Sequence, residues 1–189
     1  NTNTVSNTFT WTYDSTALTM TIASTTSGVS SGSTTNDGSI ALTFTTSEST
    51  TGFAANDITV SAGTLSSFAG SGTDYTATFA PSGDATYTIS VAANTFLDGA
   101  GNSNTASNTF TWTYDSTSPT MTIASTTSGV TSGATTNDAA IALTFTSNEA
   151  TTNFAAADVT VSAGTLSNFA GSGTDYTATF TPSGDATYT

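Results

Sequence analysis

The sequence predicts an all-β protein made of antiparallel β-sandwich domains in tandem, and three observations predict it. Apolar residues alternate with Thr in short runs, the period of a half-buried strand. No window carries the 3.6-residue apolar stripe of an amphipathic helix. The chain also repeats itself at an offset of 101 residues, which fits one whole sandwich rather than a solenoid unit of about 20–50 residues.

Taken in order, Met20 and Ile22 mark a first strand. Ile40, Leu42 and Phe44 alternate with Ala41 and Thr43 in a second, and Ile58 and Val60 mark a third. Leu65 and Phe68 mark a short element beyond the Ala62-Gly63 turn. Tyr75, Ala77 and Phe79 follow, then Tyr87, Ile89 and Val91 after the turn at Pro81-Ser82-Gly83-Asp84. Phe110, Trp112 and Tyr114 share one face of the last strand, with Thr109, Thr111 and Thr113 on the other. About seven short strands separated by Gly, Ser and Asn turns, with Thr on the outer faces, read as a sandwich.

The repeat sets the domain boundaries. Ser6-Asn7-Thr8-Phe9-Thr10-Trp11-Thr12-Tyr13-Asp14-Ser15-Thr16 recurs unchanged from Ser107 to Thr117. Glu48 and Glu149, Asp57 and Asp158, Tyr75 and Tyr176, and Pro81 and Pro182 keep the same spacing, so no gap intervenes. About four in five aligned pairs are identical. Residues 1–16 therefore correspond to the last strand and linker of a preceding repeat. Residues 17–117 make a complete domain, and residues 118–189 a second domain that stops before its last strand. The opening Asn-Thr-Asn-Thr reads as an excerpt of a longer polypeptide.

Composition narrows the function classes. The 189 residues include no Lys, Arg, His or Cys, and the 13 carboxylates give a formal charge of −13. Imidazole bases, Schiff-base lysines and thiolate nucleophiles are excluded, as are the usual ligands of zinc, haem and Fe–S centres. Nucleic acid is excluded as a partner because nothing neutralises phosphate. Direct contact with an anionic membrane surface is disfavoured for the same reason, and no apolar run approaches bilayer length. The remaining chemistry is carboxylates, amides, hydroxyls and carbonyls, hard oxygen donors that suit Ca²⁺.

Three motifs in order carry a family resemblance: Phe53-Ala54-Ala55-Asn56-Asp57-Ile58-Thr59-Val60, then Gly63-Thr64-Leu65-Ser66-Ser67-Phe68, then Asp98-Gly99-Ala100-Gly101-Asn102. With Ser47-Glu48 after the second strand, they resemble the bacterial Ig-like domains repeated in very large surface adhesins. The resemblance covers essentially the whole chain and implies tandem Ig-like sandwiches, a structural rather than enzymatic role, and an extracellular setting, secreted or at the cell surface. The total lack of Lys and Arg departs from many members of that family.

In an Ig-like sandwich, the loop between the second and third strands and the loop before the last strand lie at one pole. Glu48 and Asp57 bracket the first loop, Asp98 and Asn102 sit in the second, and Asp14 ends the strand that leads in. These groups are expected to converge at an interdomain junction, and Asp115, Glu149 and Asp158 to repeat it. Carboxylates gathered without a cation repel, and Ca²⁺ with its 6–8 oxygen ligands relieves that repulsion. A structural Ca²⁺ held by Asp14, Glu48, Asp57, Asp98 and Asn102, and again by Asp115, Glu149 and Asp158, is the expectation. The competing role for each acid is a turn or cap residue bonded to its own backbone. The Asp98 loop lacks EF-hand spacing.

Other readings carry less. Paired carboxylates serve glycosidases, but tandem near-identical sandwiches supply no cleft. The Phe110-Trp112-Tyr114 series belongs with the core rather than a sugar platform, and Thr-x-Thr runs suit half-exposed strands without any ice-binding role. The expected function is a structural spacer, or stalk, in a giant secreted or surface-anchored bacterial protein, each domain adding roughly 40 Å. Its partners are neighbouring repeats of the same chain. The alternative is a subunit of an extracellular filament, with like chains joined through strand exchange or sheet-edge contacts.

Overall fold

Thr alternating with large apolar residues leaves each strand one buried face and one wet face, and two such sheets close on each other. A computed structural model describes residues 1–189, which fall into two compact units, Asn1–Thr117 and Ser118–Thr189.

In the first unit the strands are β1 (Met20–Ser24), β2 (Thr34–Thr35), β3 (Ile40–Thr46), β4 (Thr50–Thr51), β5 (Ile58–Val60), β6 (Thr64–Ser71), β7 (Asp74–Ala80), β8 (Ala85–Val91), β9 (Leu97–Asp98) and β10 (Phe110–Tyr114). One four-stranded sheet has the order β1-β3-β7-β6 and the other β2-β10-β8-β5. All pairings in these sheets are antiparallel except β2 with β10, which run parallel as Thr34↔Thr113 and Thr35↔Tyr114. Two sheets joined in this order are the sandwich of the immunoglobulin fold.

The core lies between the sheets. Leu18, Ile40, Phe44, Phe79, Ile89 and Trp112 are wholly buried. Phe53 is its hub, with ring centroids 4.8 Å from Phe96, 5.0 Å from Tyr75, 5.4 Å from Phe68 and 6.0 Å from Phe44. Aromatic pairs at these separations add about 0.5–1.5 kcal/mol each beyond burial. Trp112 donates from Nε1 to Thr35 Oγ1 at 3.0 Å, fastening β10 to β2. At the β7–β8 turn, Tyr87 donates to the Gly83 carbonyl at 2.6 Å and accepts from Ser82 N–H at 3.0 Å. Such a tyrosine corner is a signature of this architecture.

The strands expected from alternation form, and the structure adds what the alternation leaves out. The short element expected around Leu65 and Phe68 is the eight-residue strand β6. Its pairing with β7 shifts between Ser66 and Ala69, a bulge with Ser67 at φ 53°. One extra residue explains why Leu65 and Phe68, three apart, both pack against the core. Strands β2, β4 and β9 have two residues each, too short for any period to register.

The second unit has β11 (Met121–Ser125), β12 (Ile141–Thr151) and β13 (Thr165–Thr181) in one antiparallel sheet. Its buried apolar residues are Phe145, Tyr176, Ala178 and Phe180, with Met121, Leu143, Phe154, Val159, Leu166 and Phe169 packed against the cluster. Ile123 remains 60% exposed.

Candidate functional site

Three elements of the first unit bring three of its acidic residues together. After β3, Thr46 Oγ1 donates to the Glu48 carbonyl at 2.7 Å and fixes the start of the loop. Strand β4 then pairs with β9, Thr50 opposite Asp98 and Thr51 opposite Leu97, so the loop carrying Glu48 is laced to the segment carrying Asp98. The lead-in chain supplies Asp14, whose Oδ1 accepts from Thr16 N–H at 2.9 Å in a local turn. Asp14, Glu48 and Asp98 each place a carboxylate oxygen within 4.8 Å of the others.

Asp98 is the buried member, 3% exposed. Its Oδ1 accepts from the N–H groups of Ala100 (2.8 Å), Gly101 (2.7 Å) and Asn102 (2.8 Å). Its Oδ2 accepts from Asn102 Nδ2 at 2.9 Å. Gly101 stands at φ 96°, which lets the loop curl its N–H groups inward. The Asp-Gly-Ala-Gly-Asn sequence is thus a cradle for its own carboxylate. Three of these four bonds fall on Oδ1 and one on Oδ2, so Oδ2 is the freer atom.

The electrostatics split the site. Hydrogen bonds, led by the Asn102 side chain, hold the Asp98 carboxyl below its ordinary value against the opposing effect of burial. Desolvation, followed by the charges of Asp14 and Asp98, pushes Glu48 up. Glu48 is the group that most needs a positive partner, and the chain contains no cationic side chain to supply one. Hard oxygen donors on three carboxylates match the donor set of Ca²⁺.

The other expected ligands lie elsewhere or act differently. Asn102 turns its amide N–H toward Asp98 and toward the Asp14 carbonyl, at 3.3 Å for the latter, so it orients the Asp98 carboxylate and ties the Asp14 backbone to it. Asp57 is not in the cluster: its Oδ2 accepts from Ala54 N–H at 2.8 Å and caps the 3₁₀ turn Ala55–Asp57. Asp158 does the same for Ala155 at 2.9 Å. Asp115 accepts from Thr117 N–H at 3.0 Å, reproducing the turn made by Asp14. Glu149 accepts from Asn148 Nδ2 at 3.2 Å.

Two polar residues outside the expected set act at the two ends of the unit, Asn104 beside the acidic pole and Asp84 at the opposite end. Asn104, 2% exposed, accepts from Thr95 N–H (2.8 Å) and Phe96 N–H (3.1 Å) and donates to the carbonyls of Ala92 (2.8 Å) and Thr105 (2.9 Å). It locks the segment between β8 and β10. In sequence it looks like one more turn Asn, and only its place two residues after Asn102 hints at more. Asp84 accepts from Ser116 N–H and Oγ and from Thr117 Oγ1, tying the end of the unit to the β7–β8 turn.

Fold and site together define an Ig-like sandwich module with an acidic, oxygen-rich pole. The chain belongs to the bacterial Ig-like domain family, whose profile matches residues 14–114 and 115–189. No curated protein matches the chain. Domains of this family commonly occur in surface proteins and are typically non-enzymatic. No helix is long and apolar enough to cross a membrane.

Proposed function

We propose that the chain is a spacer segment of a giant secreted or surface-anchored bacterial protein, stiffened by Ca²⁺ where one repeat leads into the next. The carrying observation is the approach of Asp14, Glu48 and Asp98 to within 4.8 Å. Asp14 matches Asp115 by the 101-residue offset, so the cluster joins the segment that leads into a domain to that domain's loops. A cation shared by Asp14, Glu48 and Asp98 fixes the angle at which the chain enters. Without it, mutual repulsion loosens the lead-in. Acidic charge throughout also keeps neighbouring stalks apart.

The test is a thermal melt of the 189-residue chain with millimolar Ca²⁺ and with chelator, alongside small-angle scattering. Ca²⁺ should raise the melting temperature and extend the particle, whereas equal melts would overturn the reading. Binding only to the folded state adds about 2.7 kcal/mol at a hundredfold excess over Kd.

A further inference from the structure

Trp112 is the largest wholly buried side chain of the first unit, and its one polar atom must find a partner from within the core. Phe79 and Tyr87 hold the ring, with centroids 6.1 and 6.3 Å away, so packing fixes the direction of its N–H. Indole Nε1 can only donate. Its acceptor is Thr35 Oγ1 at 3.0 Å, on the two-residue edge strand β2.

A threonine hydroxyl has one proton, so Thr35 can accept from Trp112 only while that proton points elsewhere. Asp37 decides where it points. Thr35 Oγ1 donates to Asp37 Oδ2 at 2.7 Å, and an ionised carboxylate, which only accepts, allows this bond one direction. The pair belongs to the turn itself. It recurs in the second unit, where Thr136 Oγ1 donates to Asp138 Oδ2. The Thr-Asn-Asp turn thus presents an already oriented acceptor to the indole.

Strand β2 is held from one side alone, since it lies at the end of its sheet. Gly32 N–H donates to the Thr111 carbonyl at 2.8 Å, Thr113 N–H to the Ser33 carbonyl at 3.0 Å and Asp115 N–H to the Thr35 carbonyl at 3.1 Å. Thr111 N–H donates to Ser31 Oγ at 3.0 Å. Val29 is the buried apolar anchor of the loop that leads in. The Trp112–Thr35 bond is what joins this edge to the core.

We propose that Asp37 is a positioning residue that locks β2 from the surface: by drawing the Thr35 proton outward, it lets Trp112 hold β2 closed along β10. The lock is separate from the acidic pole, because Asp37 is not among the clustered carboxylates there, and it does not rest on the calcium reading. When the lock is lost, the Thr111 carbonyl and the Thr113 and Asp115 N–H groups become an open strand edge. Near-identical neighbouring repeats could mispair through such an edge.

The test is amide and indole hydrogen exchange by NMR on the 189-residue chain in chelator, so failure of the calcium reading leaves it untouched. Trp11→Phe identifies the Trp112 resonance. Asp37→Ala should speed exchange at Trp112 Nε1–H and at the Thr113 and Asp115 N–H groups about three- to tenfold, the scale of one hydrogen bond. Amides of β3 and β7, in the other sheet, should keep their rates. Asp37→Asn should behave like the parent, because an amide oxygen accepts the same bond. Thr35→Val should at least match Asp37→Ala, and adding Asp37→Ala to it should change nothing further. Parent-like exchange at Trp112 in Asp37→Ala overturns the proposal. So does equal acceleration in β3 and β7, an Asp37→Asn variant as fast as Asp37→Ala, or additive effects of the two substitutions.

Discussion

Asn102 and Asp98 grip each other three times. The Asn102 N–H donates to Asp98 Oδ1 at 2.8 Å, Asn102 Nδ2 to Asp98 Oδ2 at 2.9 Å, and the Asp98 N–H to the Asn102 carbonyl at 3.0 Å. Only the middle bond depends on the Asn side chain. Asn102→Ala should therefore cost about 1.5–3 kcal/mol, the scale of a hydrogen bond to a charged group, while leaving the loop folded. Asn102→Asp should cost more in chelator, because it adds a fourth carboxylate, and recover in Ca²⁺. Paired urea melts with and without Ca²⁺ read both.

Glu48 offers a test with opposite signs in one variant. Its carboxylate sits with two others and no cation, so Glu48→Gln removes repulsion. In chelator the variant should melt at or above the parent temperature. In Ca²⁺ it should fall below the parent, having lost a ligand. A purely structural Glu48 would give the same difference in both buffers.

Acid should act in two directions. Asp98 and Asp84 have depressed folded values, Asp98 mainly through the Asn102 side chain and Asp84 through the Ser116 hydroxyl. Their stabilisation is full above the unfolded value, about pH 4, and is lost as pH falls through the lower folded values. Glu48 is raised, chiefly by desolvation, so its penalty is present above its folded value and fades as pH drops toward about 4.3. In chelator, stability should rise slightly on mild acidification and then fall below about pH 4. Glu48→Gln should abolish the rise and keep the fall, as a pH series of melting temperatures will reveal.

Asn104 should be the costliest polar residue to remove. Truncation to Ala strands the buried Phe96 N–H and removes the part-buried partners of the Thr95 N–H and the Ala92 carbonyl. The expected loss is about 3 kcal/mol, read from chemical denaturation. Hydrogen exchange at Phe96 N–H should speed up before the global transition does.

The bulge in β6 supplies its own control. Ser67 holds φ 53°, and its counterpart in the second unit is Asn168 at φ 52°. Asn tolerates the left-handed region better than Ser. Ser67→Asn should raise the stability of the first unit by a few tenths of a kcal/mol, roughly the scale of single-site backbone effects.

How far the sequence could be read depended on how many residues each feature repeats over. Ile40, Leu42 and Phe44 against Tyr75, Ala77 and Phe79 announce two paired strands, because five or more alternating positions leave one solution. Two-residue strands such as β4 and β9 cannot alternate, yet they are what draws Glu48 toward Asp98. Asp14, Glu48 and Asp98 were legible as a group through the order of the loops in an Ig-like sandwich. Asp57 was not separable from them, since a capping carboxylate three residues after Ala54 looks the same in sequence as a ligand. Asn104 was invisible for a related reason: burial of an amide depends on what encloses it. Tyr87 was readable, sitting three residues after the Asp84 that closes the Pro81 turn.

The parallel pairing of β2 with β10 bears on how the first unit carries tension. Leu18, near the entry to the sandwich, bridges in parallel to Asn104, and Thr105 N–H donates to the Leu18 carbonyl at 2.8 Å. Strand β2 lies on the entering side of the chain and β10 on the leaving side. A force drawing residue 17 away from residue 117 therefore slides these strands past each other, loading their bonds together. An antiparallel pair pulled from adjacent ends would peel one bond at a time. The Trp112–Thr35 bond and the Gly32, Thr113 and Asp115 backbone bonds stand in the same line of load. A domain wired this way yields late and all at once under a steady pull.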